Sequence, residues 1–217
     1  MALSVEKFTF NGFQENTYIV HDGADCVIID PGCYERSEQE ELSSFISENN
    51  LSPLAVLLTH AHIDHVLGLA YVLNTYSLDF YQHELDVQTL ESVSEYAHVY
   101  GFTGYIPAPS QATHLLKGGE SISLGAINFD VKFTPGHAPG HVVFYNREEG
   151  FVINGDVLFQ GSFGRYDLPG GDLNVLKNSI VTEMFELPEE TVVYCGHGPE
   201  TTIAHEKRTN PIMTYSE

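Results

Sequence analysis

The run Thr59-His60-Ala61-His62-Ile63-Asp64-His65 sets three imidazoles and one carboxylate in a single short segment. In an extended loop, side chains two residues apart share a side, so His60 and His62 can converge on one ion. Asp64 and His65, carried into a following helix, can address a second ion beside it. Neutral imidazole and carboxylate oxygen suit Zn, and also Fe or Mn. The chemistry on offer is therefore that of a dinuclear metal centre. The competing reading is a surface loop with scattered histidines.

Three later segments carry similar side chains immediately after apolar, β-type runs: Thr134-Pro135-Gly136-His137, Asn154-Gly155-Asp156 and Cys195-Gly196-His197-Gly198. Taken singly each is weak, because a polar residue beside glycine is usually a turn residue. Their recurrence at strand ends, in this order, gives them weight.

The elements that must position these groups are legible in outline. Val5 to Phe10, Thr17 to His21 and Cys26 to Asp30 read as strands separated by Asn-Gly and Asp-Gly turn signals. Helical spacing of Leu42, Phe45 and Ile46 predicts a helix over Ser37 to Asn49, followed by a strand over Leu54 to Thr59. A helix over Val66 to Tyr76, a strand over Leu78 to Tyr81 and a helix over His83 to Tyr96 come next. From Ser121 to Cys195 the pattern is mostly strands, interrupted by one helix from about Leu173 to Phe185. Each half thus supplies its own strands and helices, which predicts an α/β chain folded as a four-layered αβ/βα sandwich, with two mixed sheets and the helices outside. Residues 1–217 read as one domain, and Pro107-Ala108-Pro109-Ser110 reads as a long loop near the site.

His-x-His-x-Asp-His, then Pro-Gly-His, then Gly-Asp, then Gly-His resembles the ordered ligand set of the metallo-β-lactamase superfamily, over Asn16 to His197. The resemblance implies that His60, His62 and His137 bind a first metal. It implies that Asp64, His65 and His197 bind a second, with Asp156 bridging the two. Asp30, in Asp30-Pro31-Gly32, resembles the family's carboxylate that steadies the His-rich loop, the alternative being a turn-starting Asp before proline. A closer likeness runs through Gly155 to Phe159, Gly164 to Gly171, Gly196 to Thr202 and Glu206 to Pro211, and it is to the short glyoxalase II-like (hydroxyacylglutathione hydrolase-like) hydrolases. That branch implies thioester cleavage, with S-D-lactoylglutathione or a related hydroxyacyl thioester as substrate. Two divalent ions, Zn first among them, would hold a hydroxide available at neutral pH. Asp64 would be the catalytic carboxylate that accepts a hydrogen bond from it.

The chain departs from glyoxalase II where glutathione is held. The Lys-x-Tyr of that family reads Arg165-Tyr166-Asp167 here and Pro199 replaces a tyrosine, and with the sequence running to Glu217 the C-terminal helical domain of glyoxalase II is not expected. Arg165 is the candidate substrate-binding cation, or else it pairs with Asp167 or Asp172 to brace its loop. Tyr96, Tyr100, Phe102 and Tyr105 either line a pocket opposite the metals or pack as core. A mononuclear iron persulfide dioxygenase is the competing activity on the same scaffold, since it too carries a Gly-Arg-x-Asp segment.

Bulk properties exclude other classes. Nine Lys and Arg against 30 Asp and Glu leave a net charge of −21, which repels nucleic acid and anionic membranes. Neither is expected as a partner; a small-molecule thioester is, and the oligomeric state is left open. No Gly-x-Ser-x-Gly elbow occurs, which disfavours a serine hydrolase. The N-terminal residues show no export pattern and no apolar run approaches a membrane span, so a cytoplasmic location is expected, and a secreted β-lactamase is not. Cys26, Cys33 and Cys195 have no zinc-ribbon or disulfide spacing, and reduced thiols are expected.

Overall fold

A computed structural model describes residues 2–109 and 112–215. Strands β1 (Ser4–Phe10), β2 (Glu15–His21), β3 (Asp25–Ile29), β4 (Ser52–Leu57), β5 (Asp79–His83) and β6 (His114–Leu116) form one sheet in that order. The second sheet runs β14 (Thr201–Thr202), β13 (Val192–Cys195), β10 (Phe151–Gly155), β9 (Val142–Asn146), β8 (Ile127–Phe133), β7 (Ser121–Leu124). A small hairpin, β11 (Leu158–Phe159) with β12 (Ser162–Phe163), stands apart. Both sheets are mixed: β3, β4, β5 and β6 are parallel neighbours, as are β10 and β13, and the remaining pairs are antiparallel.

The period-2 alternation of strand side chains explains the layering. Along β2 and β3, Tyr18, Val20, Val27 and Ile29 point into a cluster shared with Val142, Phe144, Phe151 and Ile153 of the other sheet. Their neighbours Ile19, Cys26 and Ile28 point the other way, onto helices. Val143, Tyr145 and Val152 likewise leave the shared core for a third cluster with Leu173, Leu176 and Ile180. Three apolar layers between four layers of structure make the αβ/βα sandwich. These strands are nearly continuous apolar runs because both faces are covered.

The helices are α1 (Arg36–Glu48), α2 (Ile63–Val66), α3 (Leu69–Tyr76), α4 (Val87–Tyr96), α5 (Leu173–Ser179) and α6 (Ile203–Thr209). The helix expected over Val66 to Tyr76 differs in detail. It is broken at Leu67-Gly68, where the Gly68 N–H bonds Pro31 O at 2.8 Å and a Cβ would run into Cys33 Sγ. The helix expected from Leu173 to Phe185 changes to a π-turn over Ile180–Met184. His83 to Tyr96 opens as a 3₁₀ turn, Glu84–Asp86, before α4 begins. The strands β6 and β14, the hairpin β11–β12 and helix α6 have no counterpart in the sequence pattern. In the loop read at 107–110, residues 107–109 have no regular structure and Ser110 lies outside the described residues. No helix among the described residues is long and apolar enough to cross a membrane. Cys26, Cys33 and Cys195 are free and buried, and burial pushes each thiol up to about 12.

Candidate metal centre

The segments that carry the candidate ligands and Asp30 begin just past the carboxyl ends of strands, and Asp64 and His65 continue into α2. Asp30 and His60 follow the parallel neighbours β3 and β4; Asp156 and His197 follow the parallel neighbours β10 and β13. His137 follows β8. The sheets pack with these ends together, at the crevice where α/β folds hold ligands.

His62 Nδ1 lies 2.8 Å from His137 Nε2, and His60 Nε2 lies 3.2 Å from the same atom. On the other side, Asp64 Oδ2 is 3.1 Å from His197 Nε2 and 3.7 Å from His65 Nε2. Asp156 stands between the two groups. Its Oδ1 is 3.5 Å from His65 Nε2, and its Oδ2 is 3.6 Å from His137 Nε2 and 3.5 Å from His197 Nε2. The structure thus brings together all seven side chains singled out in the sequence as metal ligands.

The nitrogens facing away are anchored, which decides where the lone pairs point. Thr59 Oγ1 donates to Asp30 Oδ2 at 2.5 Å, so it accepts from His60 Nδ1 at 3.0 Å, and the bare Nε2 of His60 faces the site. His137 Nδ1 donates to Arg165 O at 2.7 Å, and His197 Nδ1 to Gln14 O at 3.2 Å. His65 Nδ1 meets Asp30 Oδ2 at 3.1 Å. Asp30 has φ 51°, a left-handed turn that ends β3 and swings its carboxylate under the His-rich loop, where Oδ1 also takes the Thr59 N–H at 2.7 Å.

A cation fits this arrangement on chemical grounds. Tetrahedral ligands at about 2.0–2.1 Å from a zinc ion stand roughly 3.3 Å apart, close to the separations seen. His65 Nε2 and Asp156 Oδ1 are buried without a hydrogen-bond partner, the condition an ion relieves. Gly196 leaves the space: a Cβ there would strike Asp156 Oδ1.

Electrostatics divides the site. Burial, followed by the neighbouring imidazoles, drives His60 well below the ordinary histidine range; burial and His137 take His62 down to about 3; burial lowers His137. These three are neutral donors. Burial would also lower His65 and His197, but Asp64 and Asp156 overcome it, raising His65 strongly and His197 to about 10. Conversely, burial would raise Asp64 and Asp156, yet the facing histidines, His65 first, hold both carboxyls below the usual range. Protons on two histidines thus balance the carboxylates where a second cation would.

Three further residues support the site: Asp86 and Glu15 carry no signal in the sequence, whereas His141, beside the Pro-Gly-His segment, reads there as a residue behind the ligands or at a strand start. Asp86 accepts the Ala61 N–H at 2.7 Å and the Gly140 N–H at 3.0 Å, tying the His60–His65 loop to the His137 loop. Glu15 is wholly buried, accepts the Thr17 hydroxyl at 2.9 Å and lies 3.9 Å from His65 Nδ1; burial raises its carboxyl well above the ordinary value. His141 stacks on His60 at 4.7 Å and accepts the Asp156 N–H at 3.1 Å.

A cleft of about 1160 Å³ opens onto His62, Asp64, His137, Asp156 and His197. Tyr96 and Tyr100 line it, whereas Phe102 and Tyr105 pack against the helical core. Burial, with Asp64 nearby, lifts the Tyr96 phenol to about 12, so it is protonated at neutral pH. Arg165 lies on the rim, bound through Nε and Nη2 to both carboxylate oxygens of Asp167 at 2.8 and 3.0 Å.

The model of the metallo-β-lactamase superfamily matches residues 10–197. The chain belongs to that superfamily. It is similar to probable metallo-hydrolase YqgX of Bacillus subtilis, 38% identical over 92% of each chain. It is 35% identical to hydroxyacylglutathione hydrolase GloC of Haemophilus influenzae, over 97% of this chain and 98% of that one. Among solved structures it resembles BLEG-1 B3 metallo-β-lactamase at 38% identity, TM-score 0.88, covering 98% and 100% of the two chains. It also resembles TTHA1623 in a di-iron-bound form at 42% identity, TM-score 0.84, covering 95% and 98%. This superfamily member is a metal-dependent hydrolase, with His and Asp clusters suited to metal ions.

Proposed function

We propose that the chain hydrolyses acyl thioesters at a dinuclear centre in which His60, His62 and His137 hold one ion, Asp64, His65 and His197 a second, and Asp156 both. The observation that carries this reading is the single convergence of three neutral imidazoles on one side of Asp156 and of Asp64, His65 and His197 on the other. A pair of divalent ions bound there supplies a water acidified to near neutrality and a Lewis acid for the carbonyl. Zn suits the donors, and the di-iron form of a 42% identical neighbour supports Fe equally.

The protein's own groups do the rest. Asp64 orients the attacking water and takes a hydrogen bond from it. Asp30, through Thr59 and His65, keeps the histidine nitrogens aimed while charge moves. A new C–O bond forms at the carbonyl carbon, the C–S bond breaks, and sulfur departs with its electron pair as a thiolate, finally protonated to thiol. With a thiol pKa of about 8.5 it needs little general-acid help. The 35% identity to GloC along nearly the full chain supports the thioester as substrate.

The test is hydrolysis of S-D-lactoyl thioesters by metal-loaded protein, with a β-lactam as comparator. Thioester cleavage that exceeds lactam cleavage supports the reading. Oxygen consumption with glutathione persulfide and no thioester cleavage refutes it in favour of the iron dioxygenase.

A further inference from the structure

The side chains that line the cleft are largely apolar, and that bears on which thioesters enter. Phe13, Leu85, Val99 and Tyr100 line the opening, and all four remain exposed in the folded chain; Val99 shows 71% of its surface and Leu85 53%, and Phe163 and Leu168, close to Arg165 in the chain, line it too. Apolar side chains gathered at a cleft, rather than scattered singly over the surface, mark a surface that a ligand covers. Arg165 is the only lysine or arginine among the described residues lining the cleft. Its fork is engaged by Asp167, at 2.8 and 3.0 Å. The pair brings no net charge to the rim. A carboxylate that drew Arg165 away would leave the Asp167 carboxylate beside it, uncompensated. The surrounding chain, at −21, opposes an anion further.

Resting on the thioester-hydrolase reading above, we infer that the cleft selects thioesters whose thiol arm is uncharged and largely apolar, and that the Arg165–Asp167 pair with the apolar lining disfavours an anionic arm such as glutathione. Apolar area on the arm is buried against Leu85 and Val99, a gain proportional to the area covered. The carboxylates of glutathione find no unpaired lysine or arginine among the described residues of the rim and lose hydration on entry. Asp167 is then a specificity-determining residue that touches neither the thioester nor the ions.

The experiment compares the D-lactoyl thioesters of N-acetylcysteamine and of glutathione on metal-loaded protein. It adds calorimetric titration of the non-hydrolysable S-benzyl thioethers of both thiols with metal-loaded and metal-free protein. The expected result is kcat/KM at least tenfold higher for the uncharged arm, with the thioether affinities ranked the same way. Asp167→Asn, at an exposed position, narrows the ratio at least fivefold through a gain on the glutathione thioester, and Leu85→Lys shifts it in the same direction. A wild-type protein that prefers the glutathione arm, or a ratio that neither variant moves, overturns the inference while the hydrolase reading stands. If neither thioester is cleaved, the hydrolase reading fails and the thioether titrations alone decide the selectivity: tighter binding of the uncharged arm upholds it, equal or weaker binding overturns it.

Discussion

Asp30 grips Thr59 twice, its Oδ1 taking the backbone N–H at 2.7 Å and its Oδ2 the hydroxyl at 2.5 Å. The hydroxyl in turn accepts from His60 Nδ1, so one carboxylate behind the site sets the aim of a nitrogen in front of it. Thr59→Val keeps the side-chain shape and deletes that relay. Metal affinity should fall about 10–100-fold, the usual effect of losing a group that orients a ligand. Competition against a chromophoric chelator reads it, and an unchanged affinity would break the link drawn from Asp30 to His60.

Asp64 is the one side chain assigned both to an ion and to the attacking water. Asp64→Asn is expected to lower turnover by about 10²–10⁴-fold, the range typical of a lost acid–base group. Far-ultraviolet circular dichroism should be unchanged, because Asp64 follows the strand ends and packs in no core cluster.

Chelation should destabilise as well as inactivate. An ion present at a hundredfold excess over its Kd adds about 2.7 kcal/mol to the folded state, and removing it takes that away. The thermal midpoint of chelator-treated protein should drop and recover on adding metal. Acidification acts in the same direction, since the ligand imidazoles bind metal only when neutral.

Gly68→Ala tests the packing that seats the His-rich loop. A Cβ at this position meets Cys33 Sγ and the Cys33 carbonyl, so Pro31 and α3 must move apart. Overpacking of this kind costs about 1–3 kcal/mol, readable as a lower urea midpoint at constant m-value.

The residues readable from sequence are those whose chemistry is local. His60 to His65 are contiguous, and His137, Asp156 and His197 each follow an apolar strand that ends at a glycine turn, so type and position coincide. Asp86 resembles an ordinary first-turn helix acid; only the fold brings the Ala61 and Gly140 amides to it. Glu15 lies at the start of a strand, and its burial arises where β2 meets the His197 loop, 182 positions away by numbering (197 − 15). The strands β6 and β14, of three and two residues, exist through their partners β5 and β13 rather than through any pattern of their own. Gly68 divides a continuous helical pattern because of a contact with Cys33, remote in sequence.

Elemental analysis of protein purified without chelators, on the wild type and on His197→Ala, addresses the dinuclear centre directly. Two ions per chain in the wild type and about one in His197→Ala, with His60, His62 and His137 still occupied, is the predicted result. A single iron per wild-type chain, unaltered by the loss of His197, would contradict it.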